Sequence, residues 1–562
     1  MTVTLGTPGY PGGSGRGVRA GPGSGPYRRS VPVRPVARLL AAVLLLVAGC
    51  AGAQPPAEPV TADPAPADPA PADPALVATV AGAVRGTVTA GHRFFGGIPY
   101  AAAPTGELRF APPRPAPTWT GVRDATRPGP RCLQGPGAGP DPGAEDCLVL
   151  NVWTPPPGAA PRPVLVWIHG GAFVAGSGDI YDAHRLAERG GLVVVTVNYR
   201  LGAAGFLAHP ALGPDAGTAG LADQQAALRW VRDNIAAFGG DPERVTIAGE
   251  SAGAMSVCDH LVAPGSRGLF HAAIVMSGPC RAQADATRAR RVALAWAADA
   301  GCADPATAAA CLRALPAERL RTPLWQLRLA GVGLSGPVVG TPALPDDPMT
   351  ALTGPGAAAV PLLIGTTRDE FRLFAGLRYL DEGERFGPER YRPLLAEAFG
   401  ADADLDAVAA RYPVDAAGGV AQAWSAAVTD AAFACPAGRI ADGRARLAPV
   451  YAYEFADPAP PTPEPLRRLP FPVAAAHSLE LRSLFDVGGA PPPTPAQRRL
   501  AEQMVDAWSR FAATGDPGWP RYTPERRSWM QLRPDGSRPV TDFDTVHQCA
   551  FWDDFPDDFW DR

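Results

Sequence analysis

In Gly249-Glu250-Ser251-Ala252-Gly253, glycines stand two positions to either side of a serine. A short β-rich run, Val245-Thr246-Ile247-Ala248, leads into the segment, and a helical pattern follows it. At such a strand-to-helix corner the backbone turns sharply. The glycines keep side chains out of the neighbouring elements, and the first helical turn directs its positive end at the hydroxyl. A serine held this way can attack an acyl carbonyl. The attack creates an anionic oxygen, which needs N–H donors already in place. His169-Gly170-Gly171-Ala172-Phe173 follows a second β-rich run and offers them. The amides of Gly170 and Gly171 can face a substrate with no Cβ in the way, and the amide of Ala252 is the third candidate. His169 reads as structural rather than as a proton carrier.

The serine needs a base, and the base needs a partner that holds it. Where a sheet of this kind carries a nucleophile, the order along the chain is serine, acid, histidine. Of the eight histidines, His260 and His271 follow Ser251 too closely to leave room for an acid and its strand. His547 lies two residues from Cys549 near the chain end. His477 sits in Ala474-Ala475-Ala476-His477-Ser478, where small neighbours leave the ring free, and is the favoured base. The acid is expected after the run Val360-Pro361-Leu362-Leu363-Ile364, at Asp369 or Glu370; spacing alone leaves that choice open.

These residues must be positioned by a largely parallel sheet flanked by helices, since β-rich runs alternate with helical patterns. Val164-Leu165-Val166-Trp167-Ile168, residues 192–197 and residues 450–455 read as buried strands. Leu221, Leu228, Val231, Ile235 and Phe238 step by seven, three, four and three, one face of a helix that Gly239-Gly240 stops. Leu500, Met504, Trp508 and Phe511 mark another amphipathic helix. Residues 281–345 read as mainly helical and loop-like, a candidate lid or pocket wall.

The first 76 residues read differently. Arg28, Arg29, Arg34 and Arg38 precede an apolar run, residues 39–48, too short to span a bilayer. It ends in Val47-Ala48-Gly49-Cys50, which resembles the lipobox of bacterial lipoproteins, with Cys50 the residue that takes the lipid. Residues 1–50 are therefore expected to be an export signal. Residues 51–76, repeating Ala, Asp and Pro, are expected to be an extended spacer, and residues 77–562 one elaborated catalytic domain. Localisation follows as exported, and lipid-anchored on the outer face of the cell membrane. The net charge of −4 and pI near 6.1 give no case for a nucleic-acid partner. The basic residues are all arginine.

Nine cysteines are present, and setting Cys50 aside leaves eight, an even number after an export signal. That favours cystines over zinc, for which no CxxC pair is available.

Taken together, the motifs resemble the type-B carboxylesterase family, which includes the cholinesterases, from about Val84 to Trp552. Glu145-Asp146-Cys147-Leu148-Val149-Leu150-Asn151-Val152 resembles a family signature, with Val149 in place of the usual Tyr, Thr or Phe. Tyr199-Arg200-Leu201-Gly202, Gly205-Phe206-Leu207 and Gly515-Asp516-Pro517 are similar to family motifs as well. The resemblance implies an α/β-hydrolase fold and a serine hydrolase of small-molecule carboxylic esters, with no metal or organic cofactor. It assigns the acid to Glu370, with Phe371 replacing the usual Gly, and supports His477 through the following Glu480-Leu481. It gives Ser277 the role of steadying the acid. It implies the pairs Cys132–Cys147, Cys302–Cys311 and Cys435–Cys549; Cys258 and Cys280 remain and are expected to join each other. A lipase acting at lipid interfaces, and a non-catalytic adhesion protein on the same fold, are the alternatives.

Overall fold

The computed structural model describes residues 73–135, 142–158, 160–281 and 283–555. Cys50, the apolar run before it and the spacer up to residue 72 lie outside the described residues, as do residues 556–562.

Eleven strands form the main sheet: β1 (Thr87–Val88), β2 (Arg93–Pro99), β3 (Val149–Thr154), β4 (Arg162–Ile168), β5 (Val193–Val197), β6 (Gly240–Glu250), β7 (Ala272–Met276), β8 (Leu362–Thr367), β9 (Val450–Phe455), β10 (Trp529–Leu532) and β11 (Arg538–Val540). Their order across the sheet is β1-β2-β3-β5-β4-β6-β7-β8-β9-β10-β11. From β5 to β10 all neighbours are parallel, and the two margins are antiparallel.

The period of two along each central strand sends successive side chains to opposite faces. Val164, Val166 and Ile168 of β4 join one hydrophobic cluster, and Leu165 and Trp167 join the other. Val193, Val195 and Val197 of β5 divide from Val194 in the same way. Both faces are therefore covered, as a parallel sheet requires. Helix α1 (Ala219–Asn234), extended by a 3-10 turn over Ile235–Phe238, lays Leu221, Leu228 and Val231 on the first face. It stops at Gly239, whose φ of 89° lies in the left-handed region that a Cβ disfavours. Helix α2 (Ala252–Val262) starts directly after β6. Helix α3 (Val420–Thr429) runs into a π-helical turn, Asp430–Ala434. Helix α4 (Pro495–Thr514), opened by a Thr494–Gln497 capping box, lays Leu500, Met504, Trp508 and Phe511 on the second face.

The segment expected to be helix and loop, 281–345, departs in one respect. Besides its helices it forms a parallel pair, Ala284–Asp285 with Val338–Val339, and a hairpin, Leu327–Leu329 with Val332–Leu334. These strands are two or three residues long, too short to give a readable alternation. The cystines are Cys132–Cys147, Cys258–Cys280, Cys302–Cys311 and Cys435–Cys549. Among the described residues no helix is long and apolar enough to cross a membrane.

Candidate active site

Five neighbouring parallel strands, β4, β6, β7, β8 and β9, deliver the nominated residues at their carboxyl ends. Gly170 and Gly171 follow β4, Ser251 follows β6, Ser277 follows β7, Glu370 follows β8, and the loop after β9 leads to His477. The register aligns these ends: Ile168 stands opposite Gly249, Glu250 opposite Met276, and Met276 opposite Gly365.

Ser251 occupies φ 59°, ψ −125°, a strained conformation for a residue with a side chain. Its amide donates to Met276 O at 3.0 Å, tying the corner to β7. The flanking glycines make the turn sterically feasible. A Cβ on Gly249 would stand 2.4 Å from the Gly253 backbone, and one on Gly253 would stand 2.0 Å from Ile168 O. The Gly170 loop lies against the same corner, since a Cβ there would come within 3.0 Å of Ser251 Cβ. Gly171 has φ 110°. The Gly170 amide also bears on the buried Tyr181 hydroxyl, whose pKa burial raises and this amide partly restrains. His169 is buried, with its pKa lowered to about 4 by desolvation, so it is neutral. It stacks on Tyr199 at 4.4 Å and takes no part in the proton path.

His477 Nδ1 lies 2.5 Å from Glu370 Oε2. The other Glu370 oxygen accepts from Thr366 Oγ1 and from the Thr367 amide, each at 2.7 Å. Burial alone would raise the Glu370 pKa. The His477 charge, with hydrogen bonds from His477, Ser277 and Thr366, outweighs that and holds it below the usual carboxylate range. Ser277 therefore stands beside the acid, although its buried hydroxyl makes no well-aligned hydrogen bond. Asp369 turns elsewhere: it pairs with Arg372 at 2.9 Å, and its carboxylate accepts from the Ala475 amide at 3.3 Å while its own amide donates to Ala475 O at 3.0 Å. It thus tethers the loop that carries the histidine. Phe371, where the family has Gly, adopts φ −76°, so a side chain is tolerated. Its ring is buried edge-on against Trp424 at 5.1 Å.

Burial would lower the His477 pKa, but Glu250, Glu370 and Glu480 together lift it to about 9. Its Nε2 is 3.1 Å from Glu250 Oε1, off the line of a hydrogen bond, and has no hydrogen-bond partner. No hydrogen bond joins Nε2 to Ser251 Oγ here; catalytic hydrogen bonds of this kind commonly tighten only in the complex with substrate. Glu250 accepts from Ser478 Oγ at 2.5 Å, and burial raises its pKa. Glu480 is buried with both carboxylate oxygens unpartnered, and burial pushes its pKa well up.

Sequence reasoning did not find Glu250 and Glu480 as neighbours of the imidazole, nor Phe374 and Phe433, whose rings lie 5.2 and 5.4 Å from His477. Phe433 is presented by the π-helical turn, which no hydrophobic periodicity announces. The signal available for Glu250 was its place beside the serine.

A strained serine after a central strand, amides beside it and a carboxylate–imidazole pair on the same sheet edge define a serine hydrolase of the α/β-hydrolase fold. The profile of the Carboxylesterase family matches residues 73–552. The para-nitrobenzyl esterase of Bacillus subtilis (strain 168) is 36% identical over 494 residues, covering 81% of this chain and 94% of that protein. The acetylcholinesterase of Bungarus fasciatus is 33% identical, covering 85% and 86%. A solved PNB esterase superposes with a TM-score of 0.73 at 33% identity, covering 85% of this chain and 99% of that one. The chain belongs to the carboxylesterase family. It is a carboxylic ester hydrolase acting on small-molecule esters.

Proposed function

We propose that hydrolysis runs through Ser251, His477 and Glu370, with Gly171 and Ala252 as oxyanion donors; the Gly170 amide, expected as a third, bears instead on the Tyr181 hydroxyl. The observation that carries this reading is the buried 2.5 Å contact of His477 Nδ1 with Glu370 Oε2, which leaves Nε2, itself making no hydrogen bond, to take the serine proton. As Ser251 Oγ bonds to the ester carbon, its proton passes to Nε2 and the carbonyl π electrons move to oxygen, which the amides stabilise. Collapse breaks the carbon–alkoxy bond, and the alcohol leaves with the proton from Nε2. Water repeats the sequence, releasing the acid and restoring the serine. Glu370 holds the tautomer and the imidazolium throughout.

The aromatic rings beside His477 and the names of relatives support aryl and benzyl esters as substrates. Those relatives include a para-nitrobenzyl esterase, a phenmedipham hydrolase and a cocaine esterase. Rapid mixing with 4-nitrophenyl acetate tests the mechanism: a nitrophenol burst equal to the enzyme concentration is expected, absent in Ser251→Ala. A full burst from that variant removes Ser251 from the mechanism. A rate that jumps above the micelle threshold of a longer ester assigns the chain to lipases instead.

Export and anchoring through Cys50 complete the reading, on the strength of the segment ending Val47-Ala48-Gly49-Cys50. Metabolic labelling with palmitate should mark the chain and should fail in Cys50→Ala; equal labelling of both rejects the anchor.

A further inference from the structure

Two residues near the end of the chain hold the π-helical turn Asp430–Ala434 at both of its ends. The turn is marked by a hydrogen bond from the Cys435 amide back to Asp430 O. Such turns are rare, and they recur at functional sites. At its start, Asp430 is buried and its carboxylate is held from two sides. Tyr412 Oη donates to Oδ2 at 2.7 Å, and His547 Nδ1 lies 2.5 Å from Oδ1. Just past its end, Cys435 is joined to Cys549, two residues beyond His547. His547 is itself fixed, because its Nε2 lies 2.9 Å from Glu454 Oε1 on β9. Glu454 in turn accepts from Gln531 Nε2 of β10 at 2.8 Å.

What the turn presents between these two ties meets the active site. Phe433 is buried, and its ring stands edge-on to the His477 ring at 5.4 Å. Thr429, one residue before Asp430, accepts through Oγ1 from the Phe371 amide at 3.0 Å, and Phe371 follows Glu370. The turn therefore touches the base through a ring and the segment of the acid through a hydrogen bond. The contact of His477 Nδ1 with Glu370 fixes one point of the imidazole. Close packing against its faces and edges sets the tilt of the plane, and the tilt aims Nε2.

We propose that His547 is a positioning residue for ester hydrolysis, acting on His477 through Asp430 and Phe433. The inference rests on His477 as the base. With Asp430 held, the turn cannot slip along its axis, and Phe433 keeps the imidazole in the plane from which Nε2 reaches Ser251. The two nitrogens of His547 have separate duties. Nδ1 holds the turn, and Nε2 holds the ring to the sheet. Amide side chains can keep one contact and give up the other. Asn brings its amide nitrogen close to the place of Nδ1, and Gln close to the place of Nε2. That choice separates positioning from stability alone.

The test is steady-state hydrolysis of 4-nitrophenyl acetate by the full chain and its variants, with melting temperature read beside it. His547→Gln, which gives up Asp430, should lower kcat about tenfold and leave KM within about twofold. His547→Asn, which keeps Asp430, should recover kcat to within about threefold of the parent, even where its melting temperature falls. In Phe433→Ala the contact through which His547 acts is gone. Adding His547→Gln to it should then cost less than about twofold more. If His547→Gln does not fold, Tyr412→Phe replaces it, alone and with Phe433→Ala. It removes the other bond to Asp430 and should lower kcat about threefold. Unchanged kcat in the folded variant, equal losses in His547→Asn and His547→Gln, or additive losses with Phe433→Ala would each overturn the proposal. His477→Ala separates its failure from that of the base. An active His477→Ala removes both, whereas an inactive one beside an unaffected His547→Gln removes the positioning role alone.

Discussion

Glu370 and Asp369 are chain neighbours with separate duties, and substitution separates them. In Glu370→Gln the imidazole keeps its neighbours but loses the carboxylate that orients it, and kcat is expected to fall by about 10³-fold or more. In Asp369→Asn the tie to Ala475 is weakened while the contact of Glu370 with His477 stays, so kcat should fall by less than about tenfold. Steady-state kinetics on both variants decides the order, and the reverse order would exchange the roles. Glu250 acts at the same scale through charge. It helps to raise His477 to about 9, and only the neutral imidazole can take the serine proton. The acid limb of the kcat/KM–pH profile should therefore move to lower pH in Glu250→Gln; a shift to higher pH, or none, contradicts this account of the local field. The acid itself could not be chosen from spacing, because Asp369 and Glu370 differ in direction rather than in position along the chain. Direction depends on Thr366, Thr367 and the loop after β9, all of which are set by tertiary structure.

At the scale of elements, the strand–turn–helix at Ser251 depends on missing side chains. Gly253→Ala would press a Cβ to 2.0 Å from Ile168 O, and β4 has no room to withdraw between β5 and β6. Destabilisation of about 3 kcal/mol or more is expected, visible as a lower melting temperature together with lost activity. Much of this level was legible beforehand. The runs at Val164, Val245 and Val450 became β4, β6 and β9 because alternate residues could be buried on both faces. The face through Leu221 and Val231 became α1 because one stripe met one side of the sheet. What stayed hidden had no periodic signal: the short strands at Leu327 and Val338, and the π-helical turn that brings Phe433 to His477. The resemblance to known esterases supplied what periodicity could not, the choice of Glu370 and three of the four cysteine pairs.

For the whole molecule, buried charge sets the pH range of stability. The folded pKa values of His477 and His547, about 9 and about 10, both lie above the ordinary 6.5. A base whose pKa rises on folding stabilises fully below its unfolded value, and that contribution is lost as pH climbs through the folded one. The melting temperature should therefore decline between pH 6.5 and about 10, and scanning calorimetry across that range checks it. The cystines act on the same scale. Cys435–Cys549 closes 114 residues and Cys302–Cys311 only 9. Replacing the first pair by alanine should cost about 2 kcal/mol more than replacing the second, on loop entropy alone.

The most direct test of the central claim is mass-spectrometric mapping of a fluorophosphonate adduct on the full chain, with the labelling rate followed in variants. The account predicts one adduct, on Ser251, forming far more slowly in His477→Ala and Glu370→Gln than in the parent. An adduct on a different serine, or an unchanged rate in both variants, would contradict it.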